Sequence, residues 1–367
     1  MTSLPQDIDW HAFLGRPPLP LPTPGALALL RDKSILITGA GGSIGSALAT
    51  RLAGLRPAQL LLLDASESHL YCLQRDWNEA HHAVPMTPIL GSAGDPALLD
   101  ELFTAHAPHI VFHAAAFKHV PLMEQQPLAA MANNILGTAT LLRAAEAHSA
   151  RVVLLSTDKA VAPASVMGAT KRATEQMVLA SGGVALRLGN VLASRDSVAE
   201  VFARQLMNGG PITVTGPDAR RYFVTLDEAV NLLLAAAACS DPPALLAPVL
   251  AAPQLIQDLA RFIARLLAPH RAIEIAFTGL RPGDRMAEAL WKAADYTHPA
   301  DSAGLVRVEA ARLAAARLAT LLDRLRHAVQ TRDLPAALAA LCLMVPDYTP
   351  GPDVSALAQH SAPGVCP

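Results

Sequence analysis

Short, unbroken apolar runs set the rhythm of the first half of the chain. Ser34-Ile35-Leu36-Ile37, Leu60-Leu61-Leu62-Leu63-Asp64, Thr87-Pro88-Ile89-Leu90, His109-Ile110-Val111-Phe112-His113, Arg151-Val152-Val153-Leu154-Leu155 and Val184-Ala185-Leu186-Arg187-Leu188 each have the length and β-branched or leucine content of a strand buried on both faces. Helical patterns lie between them, from 96 to about 105 and beyond Lys171 to about Ala180. Alternating strands and helices predict an α/β fold, a Rossmann-type doubly wound parallel sheet with a smaller C-terminal substrate-binding lobe. The predicted organisation is an N-terminal arm over 1–30, a dinucleotide-binding domain over 31–190, and a lobe with C-terminal helices over 191–348. The tail, 349–367, is rich in Pro, Gly and Ser and predicted to be disordered.

Strict alternation decays after about residue 190. Three polar stretches, 208–215, 220–223 and 278–284, read as loops, and the last two carry arginines. The stretch 309–343 is rich in Ala, Leu and Arg at helical spacing and reads as packing or self-association, so a homo-oligomer is expected. The arm contains Pro17-Pro18-Leu19-Pro20-Leu21-Pro22, which cannot be helical throughout. A globular run follows at once, favouring an arm lying on the domain surface over a ligand for a proline-binding module.

Composition removes several classes of function. A net charge of −2 over 367 residues, with no basic run or Arg/aromatic patch, argues against a nucleic-acid partner. The longest apolar stretches, 232–238 and 244–252, are too short or too Pro-interrupted to span a bilayer. Met1-Thr2-Ser3-Leu4-Pro5 lacks the start of a signal peptide, so a cytoplasmic protein with no membrane span is expected. Cys72, Cys239, Cys342 and Cys366 have no paired spacing, which indicates neither a zinc site nor a disulfide framework.

Candidate chemistry lies where the strands end. Thr38-Gly39-Ala40-Gly41-Gly42-Ser43-Ile44-Gly45 follows one strand and opens a helix. Gly39 permits the tight turn, Gly42 the approach of a pyrophosphate, and Gly45 close packing of helix on strand, while the helix N-terminus offers N–H groups to an anion. Asp64 ends the next strand about twenty residues on, where a carboxylate binds ribose hydroxyls and repels a 2′-phosphate, favouring NAD over NADP. Small residues after His113 would let a cofactor lie against the backbone, with Lys118 and His119 facing the cleft. The histidines there lack a suitably spaced carboxylate or cysteine, so no metal is expected. Ser156-Thr157-Asp158-Lys159 follows the fifth apolar run, with Lys171 twelve residues after Lys159. A solvated Asp-Lys pair and an acid–base pair fit those residues alone equally well. Arginines of the later loops fit either bidentate clamps on a diphosphate or surface ion pairs.

Taken together, the glycine turn, the segment 113–124, Ser156-Thr157-Asp158-Lys159 with Met167-x-x-x-Lys171, Arg187-Leu188-Gly189-Asn190-Val191-Leu192 and Gly279-Leu280-Arg281-Pro282-Gly283-Asp284 resemble the nucleotide-sugar 4,6-dehydratases of bacterial polysaccharide biosynthesis. These are extended short-chain dehydrogenase/reductase proteins acting on UDP-N-acetylglucosamine, and the resemblance runs from about 8 to 348. Many long relatives carry a membrane region and a second cofactor-binding domain ahead of the catalytic one; here residues 1–30 resemble only the preceding linker.

The resemblance implies a redox-neutral cycle in which NAD takes hydride from sugar carbon 4 and returns it to carbon 6. It implies Lys159 as the base for carbon 5, Asp158 as the acid for the departing hydroxyl, Thr157 as a hydrogen-bonding partner near carbon 4, and Lys171 as a holder of the nicotinamide ribose. Met167 stands where the wider superfamily has the catalytic tyrosine. Implied cofactor contacts are Gly39, Gly42, Ser43, Ile44, Gly45, Asp64, Ser66, Ala114, Lys118, Ser156 and Lys171; implied contacts to the UDP-sugar are Lys118, Thr157, Asn190, Arg221, Arg281 and Asp284. Ser92, Leu188, Ala193, Asp196 and Asp284 replace the Asp, Phe, Gly, Gly and Glu usual in the family. Two rival readings remain, a nucleotide-sugar 4-epimerase, which the adjacent Asp158 and Lys159 disfavour, and a non-catalytic NAD- or nucleotide-sugar-binding subunit.

Overall fold

Every residue of the strands Ser34–Thr38 (β1), Ile110–His113 (β4) and Val184–Leu188 (β6) is buried, and a strand without a solvent face needs cover on both sides of its sheet. In the computed structural model, which describes residues 4–5, 7–302 and 304–360, that cover is helical. With Gln59–Asp64 (β2), Met86–Leu90 (β3) and Arg151–Thr157 (β5), these strands pair in parallel in the order β3-β2-β1-β4-β5-β6. Ala244–Pro248 extends the sheet in parallel beside β6, and Leu305–Glu309 and Tyr296–Pro299 close that edge antiparallel. The expected doubly wound sheet is therefore present. Its antiparallel margin escaped the sequence reading, because Tyr-Thr-His-Pro and Leu-Val-Arg-Val-Glu lack an unbroken apolar run.

The two-residue period of a strand divides the core. Leu36, Leu61 and Leu63 face one cluster with Met177 and Leu321, while Ile35, Ile37, Leu60 and Leu62 face another with Leu48 and Leu233. A third cluster lies in the lobe, where Phe202, Ile212, Leu259 and Ile263 enclose Leu14 of the arm. Phe13 packs on Phe223 and Phe262 with ring centroids 5.8 and 5.5 Å apart, and Arg16 pairs with Glu228 at 2.6 Å, so the arm is fastened to the lobe.

Several expectations need correction. Stretches read as loops contain short strands: Ile212–Val214 pairs with Ile275–Phe277, Arg220–Arg221 with Gln254–Leu255, and Phe223–Val224 with Asn190–Val191. Ladders of two or three residues are too short to leave a periodic signature. The tail is not wholly without structure, since Pro352–His360 is a helix whose Val354 is fully buried; residues 361–367 lie outside the described residues. No helix among the described residues is long and apolar enough to cross a membrane.

Beneath β5 and β6 lies a fully buried charge pair. Glu175, on the helix Val166–Ala180, accepts from Arg187 Nε at 2.8 Å and Nη2 at 2.9 Å, from Arg172 Nη1 at 3.0 Å and from Ser156 Oγ at 2.7 Å. Burial alone would raise the Glu175 pKa; Arg187, then Arg172 and Ser156, instead hold it down at about 2. Removing one partner of such a pair strands a buried charge, at about 3–5 kcal/mol. Glu175→Gln should therefore lower the unfolding free energy at neutral pH by about 3 kcal/mol, read from guanidinium unfolding. The folded pKa lies below the ordinary glutamate value of 4.5, so this contribution is complete above 4.5 and is lost as pH falls toward about 2. The difference between wild type and variant should shrink across that window; a constant gap would contradict the assignment.

Candidate active site

The strand order reverses between β1 and β4, where the carboxyl ends of a doubly wound sheet open a crevice. On the β1 side the chain turns at Gly39, whose φ of +68° favours glycine, and a Cβ there would stand 2.8 Å from the Ala115 backbone. A Cβ on Gly45 would stand 2.2 Å from Gly39 O, so the helix Ser43–Ala53 reaches the strand only because glycine is present. Gly42 occupies the N-cap with no side-chain capping bond, which leaves the helix N-terminus to a ligand. Asp64 sits beside the turn, Oδ2 accepting from Gly41 N and Oδ1 from Ser66 N, each at 2.8 Å. Ser66 caps the following helix through His69 N.

The β4 side is fixed by a buried chain of hydrogen bonds. Thr138 donates to Asn134 O at 2.6 Å, so its oxygen accepts from His113 Nε2 at 2.9 Å, and His113 Nδ1 accepts from Thr38 Oγ1 at 2.7 Å. Burial, aided by the Lys171 cation, pushes the His113 pKa down to about 3. His113 is thus a neutral structural link, and Asn134 holds the next loop by bonding both Phe117 N and Phe117 O.

At the end of β5, Asp158 is fully buried, its Oδ1 accepting from Thr157 Oγ1 and Lys159 Nζ, both at 2.9 Å. Lys159 Nζ also donates to Asn190 Oδ1 at 3.2 Å. Asp158 Oδ2 has no partner. Lys171 is buried beneath them, and its Nζ makes no hydrogen bond to a described residue. Burial lowers its pKa to about 8 against the opposing pull of Glu175. Glycine turn, uncapped helix, free Asp64 lone pairs and an unengaged lysine together fit a dinucleotide.

The structure redirects several of the implied roles. The Ser156 hydroxyl turns away from the crevice to Glu175, because alternate residues of a strand face opposite ways, so its side chain supports that carboxylate. Met167 is buried in the apolar core. Arg221 does not present an open fork: Nη1 donates to Arg220 O and Met286 O, and Nη2 to Arg285 O. Arg281 pairs with Asp284 at 2.8 Å, Lys118 donates to Arg195 O, and Asn190 serves Lys159. Ala114 and Ile44 lie at the crevice without side-chain polar chemistry.

Glu288 was missed by sequence reasoning. Its Oε2 is buried without a partner, and burial raises its pKa, with Lys159 lowering and Asp158 raising it in turn. The segment carrying it is tied to the turn after β5 by Arg285, which donates to Val161 O and Ala162 O. A carboxylate set between two alanines, four residues past Asp284, was the only available signal.

A family model described as polysaccharide biosynthesis protein matches residues 35–310. The probable polysaccharide biosynthesis protein EpsC of Bacillus subtilis is 39% identical over 298 residues, 78% of this chain and 49% of that protein. The capsular polysaccharide biosynthesis protein CapD of Staphylococcus aureus is 38% identical, over 77% and 49% respectively. The chain thus spans about half the length of these relatives. A UDP-glucose 4-epimerase of Rickettsia canadensis is 35% identical over 55% of this chain and 62% of its own. Among solved structures, Pen from Bacillus thuringiensis superposes with a TM-score of 0.70 at 25% identity, covering 78% of this chain and 91% of that one. Nucleotide-sugar enzymes of this fold have been solved with NAD bound.

The chain has five lysines, which makes the Lys171 assignment directly measurable. In protein carrying 13C-labelled lysine, the resonance lost in Lys171→Arg should titrate near 8, against about 10.4 for an exposed lysine. A midpoint in the ordinary lysine range would show that the amine is not desolvated as described.

Proposed function

The chain belongs to the polysaccharide biosynthesis protein family, and on that premise we propose that it catalyses the NAD-dependent 4,6-dehydration of a UDP-N-acetylhexosamine, UDP-N-acetylglucosamine in the first instance, to a 4-keto-6-deoxy sugar. The observation that carries this reading is the Lys159–Asp158 contact of 2.9 Å, with its second carboxylate oxygen unpartnered.

Bound NAD would supply a hydride acceptor and donor, held by the glycine turn, Asp64 and Lys171. The protein's own task is proton transfer at carbons 5 and 6. Elimination of water needs a neutral amine to take the carbon 5 proton and a carboxylic acid to protonate the carbon 6 hydroxyl. An ammonium–carboxylate pair and an amine–carboxylic acid pair contain the same number of protons. Moving one proton from Lys159 Nζ to Asp158 Oδ1 therefore creates the base and the acid together. Asn190, accepting from Lys159 Nζ, aims the amine; Thr157, bonded to Asp158, stands beside the pair as a substrate contact. Arg221, Arg281 and Asp284 are assigned to the sugar-nucleotide side, where Arg221 acts by holding the segment that carries Glu288.

The epimerase relative favours a second reading, in which the same chain inverts carbon 4 of a UDP-sugar. Mass spectrometry of UDP-N-acetylglucosamine turnover in deuterated water separates the two. The dehydratase gives loss of one water with a single deuterium at carbon 5. Lys159→Ala should reduce this by at least about 100-fold, the lower end of what general base catalysis contributes. An unchanged sugar mass under conditions of demonstrated binding would reject dehydration of this substrate and favour epimerisation or binding alone.

A further inference from the structure

The segment 193–197 crosses from the end of β6 over the mouth of the crevice. Arg195 N donates to Ser43 Oγ at 2.9 Å, and Arg195 Nη1 donates to Gly41 O at 2.8 Å. On the opposite bank Lys118 Nζ donates to Arg195 O at 2.8 Å, and His119 Nε2 lies 4.0 Å from Asp196 Oδ2. Five residues of the lobe thus join the loop after β1 to the loop after β4, the two loops that flank the point of strand reversal. Ala193 and Asp196 each hold a φ of +57°, a left-handed conformation that L-residues with a side chain rarely adopt. The four bridging contacts hold the segment in that shape.

Arg195 is chemically matched to what the turn would hold. Its guanidinium stands beside Gly41, two residues before the first residue of a helix whose N-terminus no side chain caps. Beyond Gly41 O, its fork makes no hydrogen bond to a described residue, so most of its donors are open to a phosphate. A cation and a helix N-terminus converging on one spot favour a diphosphate.

We infer that Arg195 binds the pyrophosphate of the dinucleotide and that 193–197 is a strap that retains the cofactor between turnovers. This rests on the NAD reading above. It also gives that reading a kinetic basis, since a cycle that returns its hydride to the same sugar gains nothing from cofactor exchange.

The test uses the full chain as wild type, Arg195→Ala and Arg195→Lys, with thermal unfolding as a check that all three fold. Calorimetry with NAD, ADP and adenosine, and a chase of labelled NAD by excess unlabelled NAD, give affinities and the release rate. Arg195→Ala should weaken NAD and ADP at least about tenfold, speed NAD release by a similar factor, and leave adenosine unchanged. Arg195→Lys should fall between the two, keeping the charge without the fork. Wild type that binds NAD while Arg195→Ala binds and releases it identically overturns the inference and leaves the NAD site standing. Equal weakening of ADP and adenosine also overturns it, by reducing Arg195 to a support of the turn. Wild type that binds neither NAD nor ADP overturns the NAD reading and the inference with it.

Discussion

The buried carboxylate of Glu175 is the constraint on which the site depends. A charge removed from water must find several donors, and Glu175 finds them on three elements: Ser156 of β5, Arg187 of β6 and Arg172 of its own helix. The arginines then spend their remaining donors on Leu290 O and Ala311 O. One residue after Ser156 comes Thr157, and two residues before Leu290 comes Glu288. The pair therefore sets the spacing between the turn after β5 and the lobe segment that carries Glu288. Buried pairs of this sort contribute little net stability compared with apolar packing; here the geometric consequence is the larger one.

A second constraint runs along the floor of the crevice. Lys171 and His113 are close enough for the lysine to depress the histidine further, after burial has done most of the work. A neutral His113 can accept from Thr38 and donate to Thr138 at the same time, which an imidazolium could not. His113 therefore adds no charge beside Lys171, and its two hydrogen bonds tie Thr38 of β1 to Thr138.

The large-scale fold was legible because strands buried on both faces leave unbroken apolar runs, as Leu60 to Leu63 do, and because glycine at Gly39 and Gly45 is demanded by close backbone approach. The adjacency of Asp158 and Lys159 was legible because it is local. The direction of the Ser156 side chain was legible too, since the period of two along β5 places it opposite Thr157. Glu288 and Arg195 were beyond reach: the groups beside them, Asp158 and Lys159 for the one and Gly41 and Lys118 for the other, lie tens of residues away in sequence, and only the folded chain brings them together. The helix Pro352–His360 was hidden by its flanking Pro and Gly, since composition reports average tendency and not the single buried contact of Val354.

The burial of two carboxyl groups beside one lysine bears on how the proposed acid and base would be armed. Water stabilises an ion pair more than it stabilises the neutral tautomer of the same two groups. Asp158 is already fully buried, whereas the Lys159 side chain keeps 23% of its exposure. Any ligand that covers Lys159 removes the solvent that still reaches the pair. Glu288 lies in the field of both: burial raises its pKa, Lys159 lowers it and Asp158 raises it. On the proposed function, a substrate seated over Lys159 would close the pair off from water.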